Sequence, residues 1–301
     1  MSETTAPAAP FGRVLTAMAS AFRDDGSVDL DGTQRIAAHL VEHGHDGVVV
    51  SGTTGESPTT TVAEDGDLLR AVKDAVGDRA VVVAGVGTNA TAHSVELARQ
   101  AEKVGADGLL LVTPYYSKPS QAGVLEHFRQ VVDSTGVPVM LYDVPGRTAT
   151  TIAPETYAAA AEWDSVVAIK DAVGDYARGV RIMRDTGLAI YSGDDASTLG
   201  WLAHGACGTV SVVGHACGDD TRLMVDRFFD GDRAGALAAY QRMLPAVDAI
   251  MGVANYGATT AKAALELLGV LDNRNVRGPL VPLDDDEVAA LRTGLVAAGV
   301  L

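Results

Sequence analysis

Val166–Asp171 reads VVAIKD, an apolar run that ends on a lysine and an aspartate. Its apolar residues are continuous rather than alternating, as expected for a strand of a parallel sheet covered on both faces. The same kind of run recurs as VLTAMA from Val14, GVVVSG from Gly47, AVVVAG from Ala80 and GLLLVT from Gly108. It continues as VPVMLY from Val137, LAIYSG from Leu188 and GTVSVV from Gly208. Each run is followed by a longer stretch with helical spacing. Leu97, Ala101 and Val104 fall on one helical face, as do Ile36, Leu40 and Val41. Gly44, Gly77, Gly105, Gly136, Gly187 and Gly205 stand where these helices end, shortly before the next strand. Eight strand–helix units predict an α/β fold, the (β/α)8 TIM barrel. An open doubly wound sheet is the alternative, and it seldom reaches this many regular units.

From about Asp219 onward the pattern turns to helices alone: RLMVDRFFD, AGALAAYQRMLPAVDAIMG, TTAKAALELLG and DDDEVAALRTGLVAAG. Asp284–Asp286 occupy the place where carboxylates favour a helix N-terminus. The expected organisation is a disordered tail over 1–10, a catalytic barrel over 11–230 and an all-helical C-terminal extension over 231–301.

A net charge of -16 argues against nucleic acid or an anionic membrane as partner, because both reward basic patches. Cys207 and Cys217 are the only cysteines, too few for a disulfide framework or a cysteine zinc site. MSETTAPAAP lacks the basic start and apolar stretch of a signal peptide, and no segment is long and apolar enough to span a bilayer. A cytoplasmic protein is expected.

Chemistry in barrels of this kind gathers where strands end and βα loops begin. Those positions carry Ser51–Glu56 (SGTTGE), Thr113–Tyr116 (TPYY), Tyr142–Arg147 (YDVPGR), Lys170 and Ser192–Asp195 (SGDD). Hydroxyls, phenols, one lysine and one arginine converge, with no histidine among them. A lysine ending an apolar strand either escapes to solvent, capping a carboxylate such as Asp171, or is kept neutral by desolvation. A free lysine has a pKa of about 10.4, and an apolar site lowers it by several units. The neutral amine then attacks a ketone to form a Schiff base. Tyr142 on the neighbouring strand is the candidate proton carrier, and the GTTGE loop offers hydroxyls and N–H groups to a carboxylate. Lys73, Lys103, Lys118 and Lys262 lie on predicted helices or in a loop and are poorer candidates.

Five motifs in register, GTTGES from Gly52, TPYYSKPSQ from Thr113, LYDVPGRT from Leu141, AIKDAVGD from Ala168 and YSGDDAS from Tyr191, resemble the dihydrodipicolinate synthase (4-hydroxy-tetrahydrodipicolinate synthase) family. The likeness runs from about Phe11 to the C-terminus. The family is a class I, metal-free pyruvate lyase/aldolase group on a (β/α)8 barrel with a helical C-terminal domain, working without a cofactor. The resemblance implies that Lys170 forms the Schiff base with pyruvate and that Tyr142 is the acid/base, relaying protons through Thr53 to Tyr116. It implies that Tyr116 is inserted from a neighbouring subunit within a homotetramer, a dimer of dimers. Thr54 would hold the pyruvate carboxylate, and Gly193 and Val210 would place backbone carbonyls beside the nucleophile. The second substrate implied is L-aspartate-4-semialdehyde, on the route to diaminopimelate and lysine. Arg147 separates it from the alternatives, an N-acetylneuraminate lyase-like or 2-keto-3-deoxy sugar acid aldolase, because a guanidinium binds the extra carboxylate bidentately. A non-catalytic barrel scaffold is a further alternative.

The chain departs from the family's pattern in places. Ser20-Ala21-Phe22 stands where the family usually has Thr-Pro-Phe, and Asp143 replaces a commoner asparagine. At the lysine feedback site of some members, this chain has His93 for the glutamate, with Val62 and Asp65 for histidines, which predicts weak or absent inhibition by lysine. Three motifs are set aside. His39–His43 spells the zinc-peptidase pattern H-x-x-E-H, but on a helix whose apolar face packs on the barrel. Gly85–Ala90 fits G-x-G-x-x-A, but no ribose-binding acid follows at the next strand end, so a tight turn is expected. Asp194-Asp195 lacks the further carboxylates a metal would need.

Overall fold

A computed structural model describes residues 6–301. All eight apolar runs are strands: β1 (Val14–Ala17), β2 (Gly47–Val50), β3 (Val81–Gly85), β4 (Gly108–Val112), β5 (Val139–Asp143), β6 (Val166–Asp171), β7 (Ala189–Ser192) and β8 (Gly208–Ser211). They are hydrogen-bonded in sequence order into a closed barrel, and β1 pairs in parallel with β8. The open sheet is thereby excluded. The helices are α1 (Leu30–Glu42), α2 (Val62–Val76), α3 (Thr91–Val104), α4 (Gln121–Val132), α5 (Pro145–Thr148) and α6 (Pro154–Ala160), followed by α7 (Tyr176–Thr186), α8 (Thr198–Ala203) and α9 (Gly214–Phe229). Three more, α10 (Arg233–Met251), α11 (Ala258–Leu267) and α12 (Asp285–Ala297), form the C-terminal extension.

Successive residues of each strand face opposite ways. One set, including Leu15, Val49, Val83, Leu110, Met140, Ala168 and Val210, fills the barrel interior. The other, including Val48, Val82, Leu109, Leu141, Ile169 and Ile190, meets Ile36, Leu40, Leu68, Phe128 and Tyr157 of the surrounding helices. Burial on both faces is why the runs are continuously apolar. Five of the six helix-ending glycines adopt positive φ, where a side chain would be strained. Gly136 does not, and its N–H donates instead to Glu102 at 2.8 Å.

Residues 1–5 of the expected tail lie outside the described residues. Its remainder is engaged: the Arg13 guanidinium donates to the Pro7 carbonyl, Pro10 bridges to Gly12 and Ala9 packs on the interior cluster beside buried Phe11. The C-terminal helices share a core with the start of α9, built from Val213 and Cys217 against Met243, Val247, Ala263, Leu291 and Leu295. α12 opens with the predicted acidic start, Asp284 accepting from the Glu287 N–H at 2.9 Å in a reciprocal cap. No helix among the described residues is long and apolar enough to cross a membrane.

Candidate active site

Tyr142 and Lys170 are register partners at the ends of β5 and β6. The alternation that points Ala168 inward also points Lys170 inward, and sends Ile169 and Asp171 to the helix side. The Lys170 ammonium lies 4.4 Å from the centre of the Tyr142 ring. Only 3% of Lys170 is exposed. Burial pulls its pKa from 10.5 down to about 8; the Asp195 carboxylate opposes this and Arg147 adds to it. Asp195 is itself spoken for, accepting from the Ser211 hydroxyl and from the Val212 and Val213 N–H groups. With a pKa near 8, about a tenth of Lys170 is a neutral amine at pH 7. Burial pushes the Tyr142 phenol up to about 12, against the pull of Arg147, so the phenol keeps its proton.

Asp171 does not cap Lys170. It accepts from the Val173 and Gly174 N–H groups and faces Arg178 at 3.6 Å. Arg178 also reaches Asp143 at 2.9 Å, and Asp143 accepts from the Tyr157 hydroxyl. Burial raises the Asp143 carboxyl to about 6 despite Arg178. This outward-facing network locks the ends of β5 and β6 on the side away from the amine. Sequence reading missed it because Arg178 looks like any helix-surface arginine.

Gly193 follows β7 where the Lys170 stem passes. A Cβ there would come within 3.0 Å of Lys170 Cγ and 2.9 Å of the Asp171 carbonyl. Glycine is required by close approach, and its N–H ties to that same carbonyl at 2.7 Å. Thr53 and Thr54 stand in a tight turn after β2, closed by Gly55 N–H to the Gly52 carbonyl and Glu56 N–H to the Thr53 carbonyl, each at 3.1 Å. Gly55 fits closely beside the Ser20 hydroxyl and the Met18 carbonyl, which a Cβ there would meet at 3.2 and 3.3 Å.

These groups surround one cleft of about 310 Å3, lined by Thr53, Thr54, Tyr142, Arg147, Lys170 and Gly193. A smaller hollow of about 190 Å3 shares Thr53, Tyr142 and Arg147 and extends to Tyr115. Val210 is not on the wall; it is buried in the interior cluster, and Val212 lines the cleft instead. Tyr116 is also away from the cleft, 89% exposed and at φ 74°. Met251 at the end of α10, with Tyr256 and Gly257 from the segment joining it to α11, completes the mouth. The Arg147 guanidinium stacks 4.9 Å from the centre of the Tyr256 ring. Nothing in the sequence around Tyr256 marks it as a site residue, since its placement depends on how the extension folds back.

The set-aside motifs are structural. His39 pairs with the His215 carbonyl and His43 with Asp219, both at 2.9 Å. Asp194 caps the turn after β7 through the Ser197 N–H, and Thr88 Oγ1 closes the turn after β3 through the Ala90 N–H. Ala21 is buried, and the N–H that a proline would lack donates to Thr33 Oγ1 at 3.1 Å.

A closed parallel barrel with a desolvated amine beside a phenol at its strand ends has the parts of an enzyme that works through a lysine Schiff base. The model of the Dihydrodipicolinate synthetase family matches residues 10–298. A protein of Acidothermus cellulolyticus named 4-hydroxy-tetrahydrodipicolinate synthase is 57% identical over 97% of this chain and 94% of its own length. One of the same name from Kineococcus radiotolerans is 56% identical, covering 97% and 95%. The crystal structure of the dihydrodipicolinate synthase of Cyanidioschyzon merolae with lysine bound superposes with a TM-score of 0.93 at 40% identity, over 97% of this chain and 99% of that one. The chain belongs to the dihydrodipicolinate synthetase family.

Proposed function

We propose that the chain condenses pyruvate with L-aspartate-4-semialdehyde as a 4-hydroxy-tetrahydrodipicolinate synthase, acting as a cytoplasmic homotetramer. The observation that carries the reading is the buried, pKa-lowered Lys170 beside the Tyr142 phenol. The neutral Lys170 amine attacks the pyruvate C2 carbonyl; Tyr142 supplies the proton that lets the oxygen leave as water, and an iminium remains. The iminium is the electron sink, so no metal or cofactor is called for. Loss of a C3 proton gives the enamine, whose C3 bonds to the aldehyde carbon. The amino group of the second substrate then attacks the iminium carbon, closes the ring and frees Lys170. One water is released overall.

Thr53 relays protons from Tyr142 toward Tyr116, Thr54 and the turn N–H groups hold the pyruvate carboxylate, and Gly193 lets the Lys170 stem pass. The exposure of Tyr116 on the single chain supports its insertion into a partner's cleft within a dimer, paired again into the tetramer. Gly193 and Val210 place backbone carbonyls beside the nucleophile, Val210 with its side chain in the interior cluster. Arg147 borders the cleft with no carboxylate paired to it among the described residues, which supports its role as the clamp for the second substrate's carboxylate.

The test is borohydride reduction in the presence of pyruvate, followed by mass mapping, together with a coupled assay for aspartate semialdehyde. A mass gain at Lys170 and turnover of the aldehyde are expected; absence of the adduct overturns the mechanism. Arg147→Ala is expected to raise KM for the aldehyde while leaving the adduct intact.

A further inference from the structure

Lys262 is a second buried lysine. It sits on α11 and pairs with Glu56 of the turn after β2, 206 residues away; each side chain is 1% exposed. The Lys262 ammonium also donates to the Asn275 carbonyl at 2.7 Å, and the second Glu56 oxygen accepts from the Arg277 N–H at 2.8 Å. The Phe22 ring lies beneath both cations, 4.1 Å from the Lys262 ammonium and 4.4 Å from the Arg277 guanidinium. Glu56 stands at φ 60° and ψ 34°, a left-handed conformation that costs a residue with a side chain. Its N–H closes the turn on the Thr53 carbonyl.

A buried ion pair is a poor source of net stability, because desolvation offsets most of the attraction. A pair that instead pins a strained residue fixes geometry. Here the pinned residue ends the turn that presents Thr53 and Thr54 to the cleft, and the pin comes wholly from the C-terminal extension.

We propose that Glu56 and Lys262 are positioning residues for the keto-acid subsite: their buried pair, anchored in the C-terminal extension, holds the 51–56 turn so that Thr53 and Thr54 meet the keto-acid carboxylate. The inference rests on the pyruvate-binding reading above. The extension is then part of the catalytic apparatus rather than a cover on it.

The test is the pyruvate concentration that half-saturates borohydride trapping at Lys170, measured for Glu56→Gln and Lys262→Met below their melting temperatures. A rise of roughly tenfold or more is expected in both, with the adduct mass retained at saturation and KM for the aldehyde unchanged. Arg274→Ala loosens the same segment by removing its 2.7 Å pair with Glu266, without touching the turn. It is expected to lower the melting temperature and leave half-saturation unmoved. Where a single variant fails to fold, Glu56→Gln/Lys262→Met leaves no lone buried charge and carries the same expectation. A lowered melting temperature with wild-type half-saturation in the folded variants would overturn the proposal. Failure of the wild-type chain to trap pyruvate at all would instead sink the underlying pyruvate reading.

Discussion

Lys170 and Tyr142 are driven apart from nearly equal ordinary values, the amine down to about 8 and the phenol up to about 12. Both shifts come first from burial, which disfavours the charged form: ammonium for one, phenolate for the other. The amine therefore readily sheds its proton, whereas the phenol keeps its own and can give it to a leaving oxygen. Because only the neutral amine attacks, adduct formation should slow as pH falls below about 8, by nearly tenfold per unit well below it. The rate should level off above that pH. Borohydride trapping rates across pH 6 to about 9 check this, and a profile flat through 8 would contradict the desolvated amine. The lysine was legible as a candidate because it ends an apolar run. Which of its two fates applied was not, since that depends on whether the strand points it inward.

At the scale of elements, β6 and β7 approach so closely at Gly193 that a methyl group cannot enter without separating them. Gly193→Ala should destabilise the fold by about 1–3 kcal/mol, the usual cost of overpacking, and should slow adduct formation by displacing the Lys170 stem. Thermal melts paired with trapping rates test both parts. α2 and α3 carry the other element-level expectation. Asp65 is buried on α2, taking the Thr60 hydroxyl at 2.7 Å, and His93 on α3 lies near enough to bear on its charge. A lysine ammonium seeking a glutamate there would meet an imidazole. Millimolar lysine should therefore inhibit turnover weakly or not at all, and strong inhibition in the coupled assay would show that other groups bind it. The eight strands and most helix ends were legible because apolar runs and glycine caps are local signals.

For the whole molecule, one chain encloses Lys170, Tyr142, Thr53 and Arg147 in a cleft but leaves Tyr116 outside it. If a partner supplies that phenol, two inactive chains can repair one another. Lys170→Ala and Tyr116→Phe variants, each impaired alone, should regain activity when co-expressed, because a mixed dimer holds one site with both an intact lysine and an intact donated phenol. Activity no greater than the sum of the separate variants would argue that Tyr116 serves its own chain or none.

The chain's own order of residues determined the alternation of strands and helices, the closure expected of eight units, and the group of residues at the strand ends. Those features follow from hydrophobic period and turn chemistry over a few residues at a time. Tertiary structure alone decided that Lys170 faces the dry interior while Asp171 faces Arg178, that Tyr256 overhangs Arg147, and that Lys262 reaches Glu56 across 206 positions. Such contacts join segments distant along the chain. No local periodicity records them, because they exist only once the barrel has closed and the last helices have folded back over it.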